Sequence, residues 1–182
     1  PYPLYKQLEI WGNYQELADM LRSLLGHLDA AIECFCLIQL GRICQFRGLF
    51  EAGITYQRQA IELANQWGDL AAAAQAHLEL TSIYHDAAQP NLALQHGQIA
   101  LQLATQVQSR RVQAEALTKI AITISWHRIE KHYQQQALDS AKRALSIAQT
   151  LNDPRLECEI VGNLGIVLHR TGNLSEAIKY YE

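Results

Sequence analysis

Proline and glycine are scarce in this chain, with four and ten among 182 residues. Loop-rich β proteins and disordered chains both need more of them, so those two classes are excluded. Long apolar runs are missing as well: none approaches the roughly 18 residues that a bilayer-crossing helix requires. Yet 49% of the residues are hydrophobic, so material for a continuous core is present in dispersed form. No charged-then-apolar leader opens the chain; it begins at Pro1, and Glu182 falls inside a pattern that should continue as helix. Both ends look cut, and the chain reads as a piece of a longer protein. A surplus of one charge is lacking too: the net charge is −3 and the isoelectric point about 6.2. That balance provides no large phosphate-binding surface. The adjacent basic pairs Arg110-Arg111 and Lys142-Arg143 stand apart, without interleaved aromatics. We therefore expect neither a nucleic acid nor a membrane as partner.

Catalytic signatures are equally absent: no glycine-rich phosphate loop, no HExxH, no GxSxG and no CxxC. The histidines at 27, 77, 85, 96, 127, 132 and 169 are scattered, and His127 and His132 are five apart, the wrong spacing for two ligands on one helical face. Glu115, Asp139 and Glu159 fall in separate helical contexts, with no partner that would tune them for acid–base work. The expectation is a non-enzymatic chain without catalytic residues, metal ligands or cofactor. Cys34 and Cys36 point to different helix faces, so a disulfide or metal pair is disfavoured and free thiols of a cytosolic protein are expected.

What is present is a repeat. Gly53, Ala93, Ala137 and Ala177 recur at spacings of 40, 44 and 40 residues, and Ala60, Ala100 and Ala144 follow the first three by seven. Gly41, Thr81, Ala121 and Gly165 form a second small-residue series. Small side chains at such places let two helices approach closely. Asp29, Asp69, Ser109 and Asp153 each lie twelve residues before a member of the second series, and all four are strong helix N-caps. Pro154 follows at the first helical position, where a missing donor costs nothing. Apolar residues recur at helical spacing, as in Ile120, Ile124, Leu138, Ala141, Leu145 and Ala148.

These signals predict helix hairpins pairing 30–47 with 50–67, 70–87 with 90–107, 110–128 with about 134–151, and 154–170 with 174 onward. A degenerate hairpin over 1–28 precedes them, with a short helix near Leu4–Ile10, a turn at Gly12-Asn13 and a helix from Tyr14 to about His27. The repeats then run 29–68, 69–108, 109–152 and a truncated 153–182. Four extra residues around Trp126–Tyr133 either lengthen a loop or present Trp126, His127 and His132 at one edge of a surface.

The final stretch, VGNLGIVLHRTGNLSEAIKYYE at 161–182, carries Leu164-Gly165, a turn at Gly172-Asn173, Ala177-Ile178 and Tyr180-Tyr181. It resembles the tetratricopeptide repeat, here with a period near 40 residues rather than 34. The resemblance implies an all-α, right-handed superhelical solenoid of antiparallel hairpins whose first helices line a concave groove. Groove positions would be Phe35, Ile38, Gln39, Arg42, Gln45 and Phe46 in the first full repeat, and Gln75, Leu78, Glu79, Ser82, His85 and Asp86 in the second. Glu115, Thr118, Lys119, Ile122, Ser125 and Trp126 follow in the third, then Glu159, Asn163, Ile166, His169 and Arg170. Family members that clamp chaperone tails place a lysine and an asparagine at two set positions. The matching pairs Ile38/Arg42, Leu78/Ser82, Thr118/Ile122 and Gly162/Ile166 do not fit, which disfavours such a receptor.

The expected function is a protein-interaction scaffold that holds a peptide or helix of a partner in the groove. Apolar anchoring would fall near Phe46 and Trp126 and polar contacts near Arg42, Glu79 and Lys119. The alternative is a regulatory or sensor array of a larger signalling ATPase or transcription regulator, contacting its own other domains. The open ends of a truncated array also offer faces for self-association.

Overall fold

The computed structural model describes residues 13–127 and 131–181, and these form nine helices and no strand. They are α1 (Tyr14–Leu24), α2 (Ala30–Phe46), α3 (Phe50–Trp67), α4 (Leu70–Asp86), α5 (Pro90–Gln106), α6 (Arg110–His127), α7 (Lys131–Gln149), α8 (Pro154–Arg170) and α9 (Leu174–Tyr181). The helix expected at Leu4–Ile10 and residues 128–130 of the insertion lie outside the described residues. What is described of the insertion belongs to the end of α6 and the start of α7.

Caps set the helix starts. The carboxylates of Asp29, Asp69 and Asp153 accept from the backbone N–H of Ile32, Ala72 and Leu156 at 3.0, 2.9 and 3.1 Å. Ser109, expected to do the same, forms no such side-chain bond among the described residues. Pro90 and Pro154 open α5 and α8, where their missing N–H is no loss.

The helix ends close through left-handed residues. Gly48, Gly68 and Gly172 have φ of 71°, 71° and 81°, and the next N–H reaches back five residues, as from Leu49 to the Cys44 carbonyl at 2.8 Å. Ala88 and Gln108 adopt the same conformation at φ 55° and 56° despite their Cβ atoms. A β-carbon there costs roughly 1–2 kcal/mol, part of which glycine returns as chain entropy. Ala88→Gly should therefore stabilise the chain by about 0.5–1 kcal/mol, seen as a higher urea midpoint at unchanged slope.

Packing makes two rows. Each of α2, α4, α6 and α8 touches its hairpin partner, and successive members also touch one another. The outer helices α3, α5, α7 and α9 make no such contacts among themselves in the described residues. The row with the closer spacing lies on the inside of the curve, so its free faces form the concave side. The small-residue series sits where the rows meet: Ala60, Ala93, Ala100, Ala137 and Ala144 are fully buried, as is Thr81. Around them pack Ile54, Leu80, Ile83 and Tyr84, then Ile120, Ile124, Leu164, Val167 and Leu168. No helix among the described residues is long and apolar enough to cross a membrane.

Candidate functional site

A cleft of about 510 Å³ runs across the inner faces of α2, α4, α6 and α8. Of the candidate residues, Arg42, Phe46, Glu79, Lys119 and Asn163 line it, with Gln45, Gln75, Leu78, Ser82, Glu115, Thr118, Ile122 and Glu159 from the same expected face. Sequence reading missed Arg111, Arg155, Leu156 and Ile160, which also line it. Arg111 and Arg155 stand one helical turn before Glu115 and Glu159, at the same register of neighbouring repeats. The signal was therefore the i, i+4 pairing along each helix.

Ten of the expected groove positions do not line the cleft: Phe35, Ile38, Gln39, His85, Asp86, Ser125, Trp126, Ile166, His169 and Arg170. Gln39 is only 8% exposed and its Oε1 accepts from Arg42 Nη1 at 3.0 Å, so it props the arginine rather than facing the cleft. His85 packs edge-on against Trp126 and His127, with ring centroids 6.5 and 5.2 Å away. Trp126 is half exposed beyond the cleft, and the Arg170 guanidinium covers its ring at 3.7 Å while Arg170 Nε donates to the Ser125 carbonyl. His169 is exposed in the last turn of α8, also outside the cleft. Periodicity alone could not separate these places. In α4, α6 and α8 the lining stops before the last turn, whereas in α2 it runs to the end of the helix at Phe46. Ile38, also expected in the groove, is core at 4% exposure.

The cleft is polar and largely self-paired. Glu79, 8% exposed, accepts from Gln75 Nε2 at 2.9 Å on one oxygen and lies 3.8 Å from Arg42 Nε on the other. Arg111 joins Glu115 at 3.0 Å and also reaches Asp153, tying α6 to the cap of α8. Burial pushes the Glu115 carboxyl up, while Arg111 and Lys119 pull it down and Glu79 and Glu159 reinforce the rise. Lys119 Nζ donates to Ser82 Oγ across the α4–α6 seam. At the edge, Phe46 is 59% exposed and stacks on Tyr14 at 5.7 Å.

A second cavity of about 650 Å³ opens between the outer helices α3 and α5, lined by Arg58, Glu62, Asn65, Gln66, His77 and His96 among others. His77 and His96 are hydrogen-bonded through their Nδ1 atoms at 2.8 Å, and the His96 ring stacks on Tyr84. Burial first, and the neighbouring His96 second, push His77 down to about 4 from its ordinary 6.5. The folded chain keeps His77 neutral where the unfolded chain takes up a proton. Its contribution to stability is thus complete above pH 6.5 and is lost as pH falls toward 4. In urea titrations from pH 7 to 4.5, the wild type should lose midpoint more steeply than His77→Gln.

Cys34, Cys36 and Cys44 are buried, and burial raises all three thiols. Cys158 is exposed, unlike the others. Among the described residues no group of three or more His, Cys, Asp or Glu is placed to hold a metal ion.

The two rows of hairpins, with an inner cleft and a period near 40, define an α-solenoid repeat protein. Residues 36–66, one hairpin's worth, match the family model for the tetratricopeptide repeat. The chain thus carries a match to this repeat over one hairpin, and its neighbours among solved structures have the same helical-repeat architecture. It is similar to BtubC (BKLC) from P. vanneervenii, with 17% identity over 97% of this chain and 74% of that one, at a TM-score of 0.76. A putative kinesin light chain from Podosopora anserina, with nearly identical TPR-like repeats, shares 13% identity over 98% and 89%, at 0.68. A signal transduction ATPase with numerous domains and a tetratricopeptide repeat sensor, from Pyrococcus horikoshii, shares 21% identity at 0.64. There the match covers 95% of this chain and 27% of that one. No curated protein matches the sequence.

Proposed function

We propose that the chain is a non-catalytic interaction module whose inner cleft holds an extended segment of a protein partner. The observation that carries this reading is the cleft itself. It spans all four inner helices, has many polar groups in fixed positions, and offers Leu78, Ile122, Leu156 and Ile160 as apolar contacts between them. A groove of that length suits a chain that runs along it, because each repeat contributes the same register of side chains. Phe46 extends the apolar contact at one end.

The test is site-specific photo-crosslinking. A benzophenone amino acid at Gln75 or Asn163, inside the cleft, is compared with the same group at Gln98, exposed on the outer row. Cleft positions should capture a polypeptide that Gln98 does not. Capture only from Gln98, or from none of the three, would sink the reading.

A second reading has the module as the sensor part of a larger signalling protein. The similarity to the Pyrococcus horikoshii ATPase supports it, since there an array of this size is about a quarter of the chain. In that case the cleft crosslinks form within the longer protein itself.

A further inference from the structure

The charges in the cleft are not all satisfied alike, and the difference points to what the ligand carries. Among the lining residues, Arg42 is held by Gln39 and lies beside Glu79, while Arg111 is held by Glu115 and Asp153. Arg155 and Glu159 are exposed and one turn apart on α8, so water and each other's field suffice for them. Lys119 differs from all of these. The residue is half-buried and lines the cleft, and the hydrogen-bond partner of its ammonium is the neutral hydroxyl of Ser82. No carboxylate oxygen lies within the 4.0 Å of an ion pair among the described residues. Glu115 feels the lysine only through space and spends its hydrogen bond on Arg111.

An ammonium withdrawn from water onto one hydroxyl keeps two donors to place and a charge without a contact partner. Both are unfavourable in a half-desolvated site. A carboxylate entering the cleft would take up the donors and the charge together, with the shorter and stronger bond that ionised partners make. The flanking acids explain why the preference is local. Glu79 and Glu115 line the same cleft but are already paired with Arg42 and Arg111, so Lys119 is where one incoming carboxylate finds a cation with no carboxylate in contact.

We infer that the cleft selects a peptide segment bearing an aspartate or glutamate side chain seated on Lys119, among otherwise neutral neighbours. This deepens the reading of the cleft as a polypeptide-binding groove and rests on it.

The test uses the 182-residue chain and two random-peptide phage libraries. One displays the random segment at the N-terminus of a coat protein, without a free carboxyl end; the other ends in a free carboxylate. From the first, the wild type should select sequences enriched in a single Asp or Glu. The enrichment should survive Lys119→Arg and Ser82→Ala, vanish with Lys119→Gln, and turn to Lys or Arg with Lys119→Glu. For a selected peptide made with an amidated end, Lys119→Gln should weaken binding about tenfold or more, as for a lost charge-assisted hydrogen bond. Circular dichroism and urea midpoints check that each variant folds, and Lys119→Arg and Ser82→Ala keep the test decisive if one does not. Selected peptides without acidic enrichment, or with enrichment that ignores Lys119→Gln, overturn this inference and leave the peptide groove standing. Selection only from the free-carboxylate library overturns the side-chain assignment. No selected peptide from either library overturns the groove reading and this inference with it.

Discussion

Leu80→Ala should lower the stability of the chain by about 2–5 kcal/mol, the range for a buried leucine whose surroundings cannot collapse into the gap. Leu80 is fully buried, and it packs among Ile54 of α3, Ile83 and Tyr84 of α4 and Ala93 of α5. Collapse is blocked because Ala93 and Gly53 already hold the helices at close approach; a β-carbon on Gly53 would meet Ile83 Cδ1 at 3.2 Å. The location decides the form of the loss. Leu80 joins the first full hairpin to the second, and in a stacked array each hairpin draws stability from its neighbours. Urea unfolding of Leu80→Ala should therefore show a lower midpoint and a broader transition than wild type. A midpoint drop with an unchanged slope would mean that the array still unfolds as one unit.

The second large effect is a coupling. Gly41→Ala should destabilise sharply, and the same change should be tolerated when Gln57 is also replaced by alanine. A β-carbon on Gly41 would fall 2.2 Å from Gln57 Nε2 and 2.8 Å from its Cδ, closer than atoms can stand. Gln57 is fully buried and its Nε2 donates to the Ile38 carbonyl at 2.9 Å. To admit the methyl group, the amide must leave that bond with no solvent to receive it, a loss of about 1–3 kcal/mol. Removing the amide empties the space the methyl needs. It also removes Gln57 Oε1, a buried oxygen without a partner. In a double-mutant cycle the two changes should couple favourably by about 1–3 kcal/mol. Additive effects would show that Gln57 has somewhere else to turn.

This pair also marks what the sequence could and could not convey. Glycine at 41 was legible as a close-approach position because its register recurs at Thr81, Ala121 and Gly165. That a glutamine fills the space above it was not, since a polar residue on α3 reads as solvent-facing until its partner carbonyl is known. The helices themselves were written in local signals: aspartates at 29, 69 and 153 and prolines at 90 and 154 mark starts that the structure reproduces. The inner face was half legible. Arg42, Glu79, Lys119 and Asn163 followed from helical register, whereas Gln39 at the register of Lys119 turned inward to support Arg42. His85, Trp126 and His169 were placed in the groove by counting. They stand at or near the ends of α4, α6 and α8, and the cleft ends before the last turn of those three helices.

The unequal spacing of the two helix rows has a mechanical outcome. With contact along the inner row and gaps along the outer one, the inner seam acts as the hinge line of a spring. Curvature can then change by opening or closing the outer gaps, while the inner contacts hold their register. One of those gaps contains the His77–His96 pair, and the Arg111–Asp153 tie crosses the seam itself. The array is thus soft to bending and stiff to sliding. A guest laid along the hinge line would meet a surface whose spacing changes least as the whole molecule flexes.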